Sequence, residues 1–174
     1  TVGVLADQYL NRRSDELRHG GYKSVRFSVG LFASAFGSRP IGSINREDAL
    51  GFVRKVAQLG CHVGKSYRLH GASLDRLVGL TEGPTISAAT QRRTVGQVSH
   101  FMDWAVYEGQ LTTNPFKTVR VEAKGKPNHY EVLRDEETAR LLALEDPKVG
   151  RLLTLCLLSG MRAGEASGLV RDDL

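Results

Sequence analysis

The residues best suited to chemistry stand near the end of the chain. Arg162 follows the run Leu157-Leu158-Ser159-Gly160-Met161 and precedes Glu165 by three positions. A guanidinium stays charged at any working pH, is planar, and bonds two oxygens of one phosphate or carboxylate together. Arg162 is expected at the start of a short helix reaching about Leu169, where backbone N–H groups also favour an anion. Glu165 then falls on the same face, one turn on. Two readings of Glu165 stay open: it orients the arginine by hydrogen bonding, or it is an ordinary first-turn carboxylate that stabilises a helix start. Arg162 likewise has a plain reading as a solvated surface arginine.

Other reactive side chains suggest little. His62, His70 and His129 fall in loops without metal-ligand spacing, and His19 and His100 add none. Cys61 and Cys156 lie too far apart in context for a disulfide framework or a zinc site. Cys156 sits inside an apolar run and is expected as a small core residue. No metal and no cofactor is expected. The longest apolar run, residues 152–158, is broken by Thr154 and is too short to cross a bilayer. Residues 1–10 carry neither the basic start nor the apolar block of a signal peptide. The expected setting is a reducing cytoplasm.

Charge divides the chain. Residues 1–130 hold 18 Lys and Arg against 10 Asp and Glu, whereas residues 131–174 hold 6 against 9. A basic leading part and a mildly acidic remainder fit a polyanion-binding module joined to something else. A basic surface with no partner is the plainer alternative.

The elements that must position these groups are helical nearly throughout. Leu5, Tyr9 and Leu10 begin a first helix expected to fade near His19-Gly20-Gly21. A second is expected from about Tyr22 to Phe36, with Val25, Val29, Phe32 and Phe36 on one face. Asn45 is an N-cap candidate, with Ile44 as a hydrophobic staple and Glu47 and Asp48 in a favourable first turn. Residues 61–86, rich in glycine, read as a long connection carrying one short helix from Ser73 to Leu80. Ser87 caps the clearest helix, whose Thr94, Val95, Val98, Phe101, Met102, Ala105 and Val106 keep a helical period. Gly109 stops it, and Asn114-Pro115 marks a turn. Trp104, Phe101 and Met102 read as core. Residues 117–130 are polar and basic, and are expected to link two domains. After them, Asp135 is expected to cap a helix to Leu144, and Pro147 to open another to about Ser159. No strand is evident before residue 130.

Three stretches resemble the tyrosine recombinases, or phage integrases. The first is Ile44-Asn45-Arg46-Glu47-Asp48. The second is Ser87-Ala88-Ala89-Thr90-Gln91-Arg92-Arg93, followed by Phe101, Trp104, Ala105, Gly109 and Asn114-Pro115; it is similar to the last long helix of the family's core-binding domain. The third runs from Leu157 through Ser159-Gly160-Met161-Arg162-Ala163-Gly164-Glu165 to Leu169, then Asp172-Asp173, and is similar to the box carrying the family's first catalytic arginine. Ser159 and Met161 replace the commoner Thr and Leu, and the 61–86 connection is longer than in minimal members.

The resemblance implies a mainly α protein. A SAM-like core-binding domain of four to five helices would span 1–116, a basic linker 117–130, and the truncated, helical start of an α/β catalytic domain 131–174. It implies site-specific DNA recombination or integration by strand breakage and rejoining: a tyrosine attacks the scissile phosphate without a metal, so fixed cations must meet the charge. Arg162 would be the first of these, with Glu165 in support. The family's lysine, His-x-x-Arg box, further His or Trp, and nucleophilic tyrosine should all follow the arginine box, but only twelve residues do. Tyr9, Tyr22, Tyr67, Tyr107 and Tyr130 all precede it. This polypeptide alone is therefore expected to bind DNA and not to cleave it.

By position, two helices would face double-stranded DNA, one near Lys23, Ser24 and Arg26 and the other near Ser87, Thr90, Gln91 and Arg93. Arginine and glutamine can read base edges, and serine and threonine more often hold phosphates. Ser87 reads equally as a helix cap and Thr90 as a solvated side chain. Lys117, Arg120, Lys124 and Lys126 would follow the DNA backbone, or simply solvate a linker. The parent would be a tetramer on paired DNA sites, the fragment a monomer, with no membrane role. Two alternatives remain: a non-catalytic DNA-binding regulator of this architecture, and a helical interaction domain without DNA.

Overall fold

A computed structural model describes residues 1–63, 71–122, 131–144 and 146–173. Among them the protein is mainly helical, with no strand and a single β-bridge between Gly60 and Thr85. The chain forms two compact units, residues 1–126 and 127–174.

The first unit contains α1 (Val2–Glu16), α2 (His19–Phe36), α3 (Arg46–Ala57), α4 (Leu74–Gly79) and α5 (Ala88–Tyr107), with a 3-10 turn at Ile41–Ser43. α1 and α2 form a helical hairpin joined at Leu17 and Arg18. The break falls there and not at Gly20-Gly21, which sit in the first turn of α2. First-turn N–H groups make no intrahelical bond, so glycine costs less there than in a helix interior. Thr1 gives α1 no side-chain cap. Instead the Val2 and Gly3 amides donate to the carbonyls of Arg39 and Gly37 at 2.9 and 3.0 Å. The start of α1 is thus closed by the exit of α2. This approach needs small residues: a Cβ on Gly3 would lie 3.2 Å from the Gly37 oxygen.

α3 begins as its sequence dictates. The Asn45 side chain accepts from the Glu47 and Asp48 amides, and Asp48 accepts from the Asn45 amide at 3.0 Å, closing a capping box. Arg39 grips the same carboxylate with both terminal nitrogens, at 2.7 and 3.0 Å. These hydrogen bonds from Arg39 outweigh partial burial and hold Asp48 below the usual carboxylate range.

The core lies where the five helices converge. Phe32 is fully buried and meets the rings of Phe36, Phe52, Phe101 and Phe116 at 4.8 to 6.4 Å, mostly edge to face. Tyr9 closes the other side against Phe101 and Trp104, each at 5.4 Å. Phe101 and Met102 are buried as expected, while Trp104 is partly buried, with no partner for its indole nitrogen among the described residues.

After α5, Gly109 takes a left-handed φ of +70° and turns the chain back. The buried Asn114 then pins the return to α5. Its Nδ2 reaches the Ser99 carbonyl (2.9 Å), the Ser99 hydroxyl (3.1 Å) and Asp103 (2.9 Å), and its oxygen accepts from the Phe116 amide at 2.8 Å. Phe116 is buried, and Val119 and Val121 pack on the same core, so the first unit continues past residue 116.

The second unit holds α6 (Asp135–Leu142), α7 (Pro147–Ser159) and α8 (Ala163–Ser167), then a 3-10 turn at Arg171–Asp173. Arg134, not Asp135, occupies the N-cap position of α6, because Glu137 reaches back to the Arg134 amide at 2.9 Å. Asp146 caps α7 ahead of Pro147, and Gly160 ends it at a φ of +71°. Of the described residues in this unit only Ala166 is buried. Cys156, expected in a core, is half-buried, and Leu158 is 85% exposed. No helix among the described residues is long and apolar enough to cross a membrane.

Candidate nucleic-acid interface

α2 packs against α5, and polar residues tie them together where the apolar contact ends. Ser24 and Ser28 stand one turn apart on α2 and both face Gln97 of α5. The Ser28 hydroxyl donates to Gln97 Oε1 at 2.7 Å, and Gln97 Nε2 donates to the Ser24 hydroxyl at 3.1 Å. Lys23 adjoins Ser24, and Arg93 lies four residues before Gln97 on the same stripe of α5. Lys23 and Arg93 therefore each sit within about one helical turn, roughly 6 Å, of this contact. Both are exposed, as is Arg26, and none of the three makes a hydrogen bond or ion pair among the described residues. Arg92 is exposed beside them. The result is a cationic surface over two helices locked side by side.

The remaining candidates divide by what their polar atoms already hold. Ser24 is engaged by Gln97 and only partly exposed. Ser87 caps α5: its hydroxyl accepts from the Thr90 amide and lies 3.0 Å from the Thr90 hydroxyl. Gln91 folds back, with Nε2 donating to the Ile86 carbonyl at 3.1 Å, and is half-buried. Its amide is thus occupied in bracing the entry to α5.

Lys117 and Arg120 are exposed on the return from α5. Lys117 pairs with Asp103 at 3.1 Å. Burial raises the Asp103 pKa, but hydrogen bonds from Asn114 and Lys117 overcome it and hold that carboxyl below its ordinary range. Beside Lys117 runs an open groove of about 640 Å³ lined by Asn45, Arg46, Thr113, Asn114 and Thr118. Lys124 and Lys126 lie outside the described residues.

Arg162 is the N-cap of α8 and is 86% exposed. Glu165 accepts from its amide at 3.0 Å and from Nη1 at 3.1 Å. The carboxylate therefore takes the helix-start N–H that an external anion would have used, and the anion-binding role expected of that backbone is already filled. The guanidinium keeps its other N–H donors in solvent. Both readings of Glu165, orienting the arginine and stabilising the helix start, describe hydrogen bonds that coexist here.

Gln97 and Ser28 were invisible as site residues in the sequence. The available signal was spacing: Gln97 continues the stripe of Thr90 and Arg93, and Ser24 and Ser28 form an i, i+4 pair on the facing helix. No cluster of three or more His, Cys, Asp or Glu side chains able to hold a metal occurs among the described residues. No family model, curated protein or solved structure matches the chain.

Proposed function

We propose that the first unit is a double-stranded-DNA-binding module of the tyrosine recombinase class, SAM-like in architecture, serving a cytoplasmic parent enzyme that breaks and rejoins DNA strands. The carrying observation is the cationic surface of α2 and α5. Lys23, Arg26 and Arg93 present uncompensated charge from two helices held in fixed register, a geometry suited to a duplex whose phosphates recur at regular intervals. Arg93 and Arg26 have the reach and planarity to read guanine edges, whereas Lys23 acts as a point charge on phosphate. Ser87 and Gln91 contribute by shaping the start of α5 more than by direct contact.

In this reading Arg162 supplies the first phosphate-neutralising cation of the parent's strand-transfer centre. Glu165 limits its rotamers by holding Nη1, so the remaining N–H groups point outward at little further entropic cost. The nucleophilic tyrosine belongs to the parent, which would work as a tetramer on paired sites.

Amide shift mapping tests the module. Titrating a short duplex into the isotopically labelled chain is expected to move the resonances of Lys23, Arg26, Thr90 and Arg93 first. Shifts absent from α2 and the start of α5 at saturating duplex would overturn the assignment.

A further inference from the structure

Ser28 is 2% exposed, so it cannot touch DNA, yet its hydroxyl is spent on a side chain of the neighbouring helix. Gln97 offers one acceptor and one donor pair on a planar amide. It takes the Ser28 proton on Oε1 and gives an N–H to Ser24 from Nε2. The two bonds fix both the tilt of the amide and the offset of α2 along α5. Apolar packing such as Phe32 on Phe101 sets how closely the helices approach but is tolerant of small slides. A directional bond to a buried hydroxyl is not, because a displaced partner leaves a buried polar group unsatisfied.

We propose that Gln97 is a positioning residue for DNA binding: with Ser24 and Ser28 it forms a polar strut that sets the spacing between the Lys23 and Arg26 cations of α2 and the Arg93 cation of α5. The inference rests on the DNA-binding reading above. Charges on two helices engage one duplex together only when their offset matches it, and errors well below 1 Å matter for such constellations. Loss of the strut leaves every cation in place but lets one helix disengage.

The test compares the full chain with Ser28→Ala and Gln97→Met on a short random-sequence duplex, by fluorescence anisotropy over a range of salt. Thermal melts establish that each variant is folded at the assay temperature. Both variants are expected to bind roughly 3- to 10-fold more weakly, the worth of one or two neutral hydrogen bonds. Their plots of log affinity against log salt should also be shallower, by about 0.9 for each phosphate contact released. Variants that are merely part-unfolded would lose affinity equally at all salts and keep the parental slope, and that result counts against the strut. Wild-type affinity and slope in folded Ser28→Ala overturn it outright, and this variant decides the matter if Gln97→Met does not fold. Lys23→Ala and Arg93→Ala run alongside. If they weaken binding while the strut variants do not, the strut alone fails; if they too bind like wild type, the DNA-binding reading fails with it.

Discussion

Phe32 in the first unit is out of water and ringed by four other aromatic side chains, whereas Leu158 in the second, comparably apolar, is 85% exposed. Both sit on helices with clear start and stop signals. Asn45 and Asp48 close a capping box at α3, and Arg162 and Glu165 provide the same reciprocal backbone and side-chain closure at α8. Local devices are thus satisfied equally in the two units. What differs is convergence: five helices meet over the first core, while α6, α7 and α8 bury little beyond Ala166 among the described residues. Caps and periodicity decide where a helix runs. They do not decide how much of its apolar surface leaves water, and that surface supplies most of the stability.

Core truncation should separate the units most sharply. Phe32→Ala is expected to cost about 3–5 kcal/mol in urea unfolding of the first unit, as for a large buried aromatic. Leu158→Ala should change stability by less than about 0.5 kcal/mol, as an exposed substitution. Equal costs at the two positions would break the comparison.

A smaller effect belongs to the buried polar hinge after α5. Asn114→Ala removes three donor contacts and strands the Phe116 amide, so a loss of about 1–3 kcal/mol is expected, read by chemical denaturation. A near-neutral result would mean that the return segment is held by Phe116 and Val119 packing alone.

The smallest expected effect is on pH dependence. The folded-state pKa of Asp48 is depressed, chiefly by the Arg39 hydrogen bonds. Its carboxylate therefore adds stability at pH values above its unfolded pKa of about 4, and that share is lost as pH falls through the lower folded value. Asp103 has the same sign. Asp48→Asn should flatten the acid side of a stability-against-pH curve and leave the slope between about pH 6 and 8 unchanged. An acid limb as steep as the parent's would remove Asp48 from that account.

The sequence was most legible where the deciding physics is local. α5 announces itself through the Thr94-to-Val106 periodicity, and α3 through Asn45. It misled where two local signals competed. Gly20-Gly21 looked like a break, but first-turn positions tolerate glycine. Asp135 looked like a cap, but Glu137 can reach back only if the cap is Arg134. The candidate cations Lys23, Arg26 and Arg93 were legible as types and positions, and their exposure agrees with that use. Illegible were the engagements set by tertiary partners: Gln97 between two serines 69 and 73 residues away, Gln91 turned to Ile86, and the water left on α7. No window of sequence contains both halves of such a contact.

The most direct test of the central claim is the salt dependence of duplex binding by the intact chain and by Lys23→Ala/Arg26→Ala/Arg93→Ala. The parent is expected to lose affinity steeply as salt rises, and the triple variant to have a slope shallower by about 2 to 3, since each lost phosphate contact is worth about 0.9. Two indistinguishable slopes, or no measurable binding by the parent at low salt, would contradict a DNA-binding surface on α2 and α5.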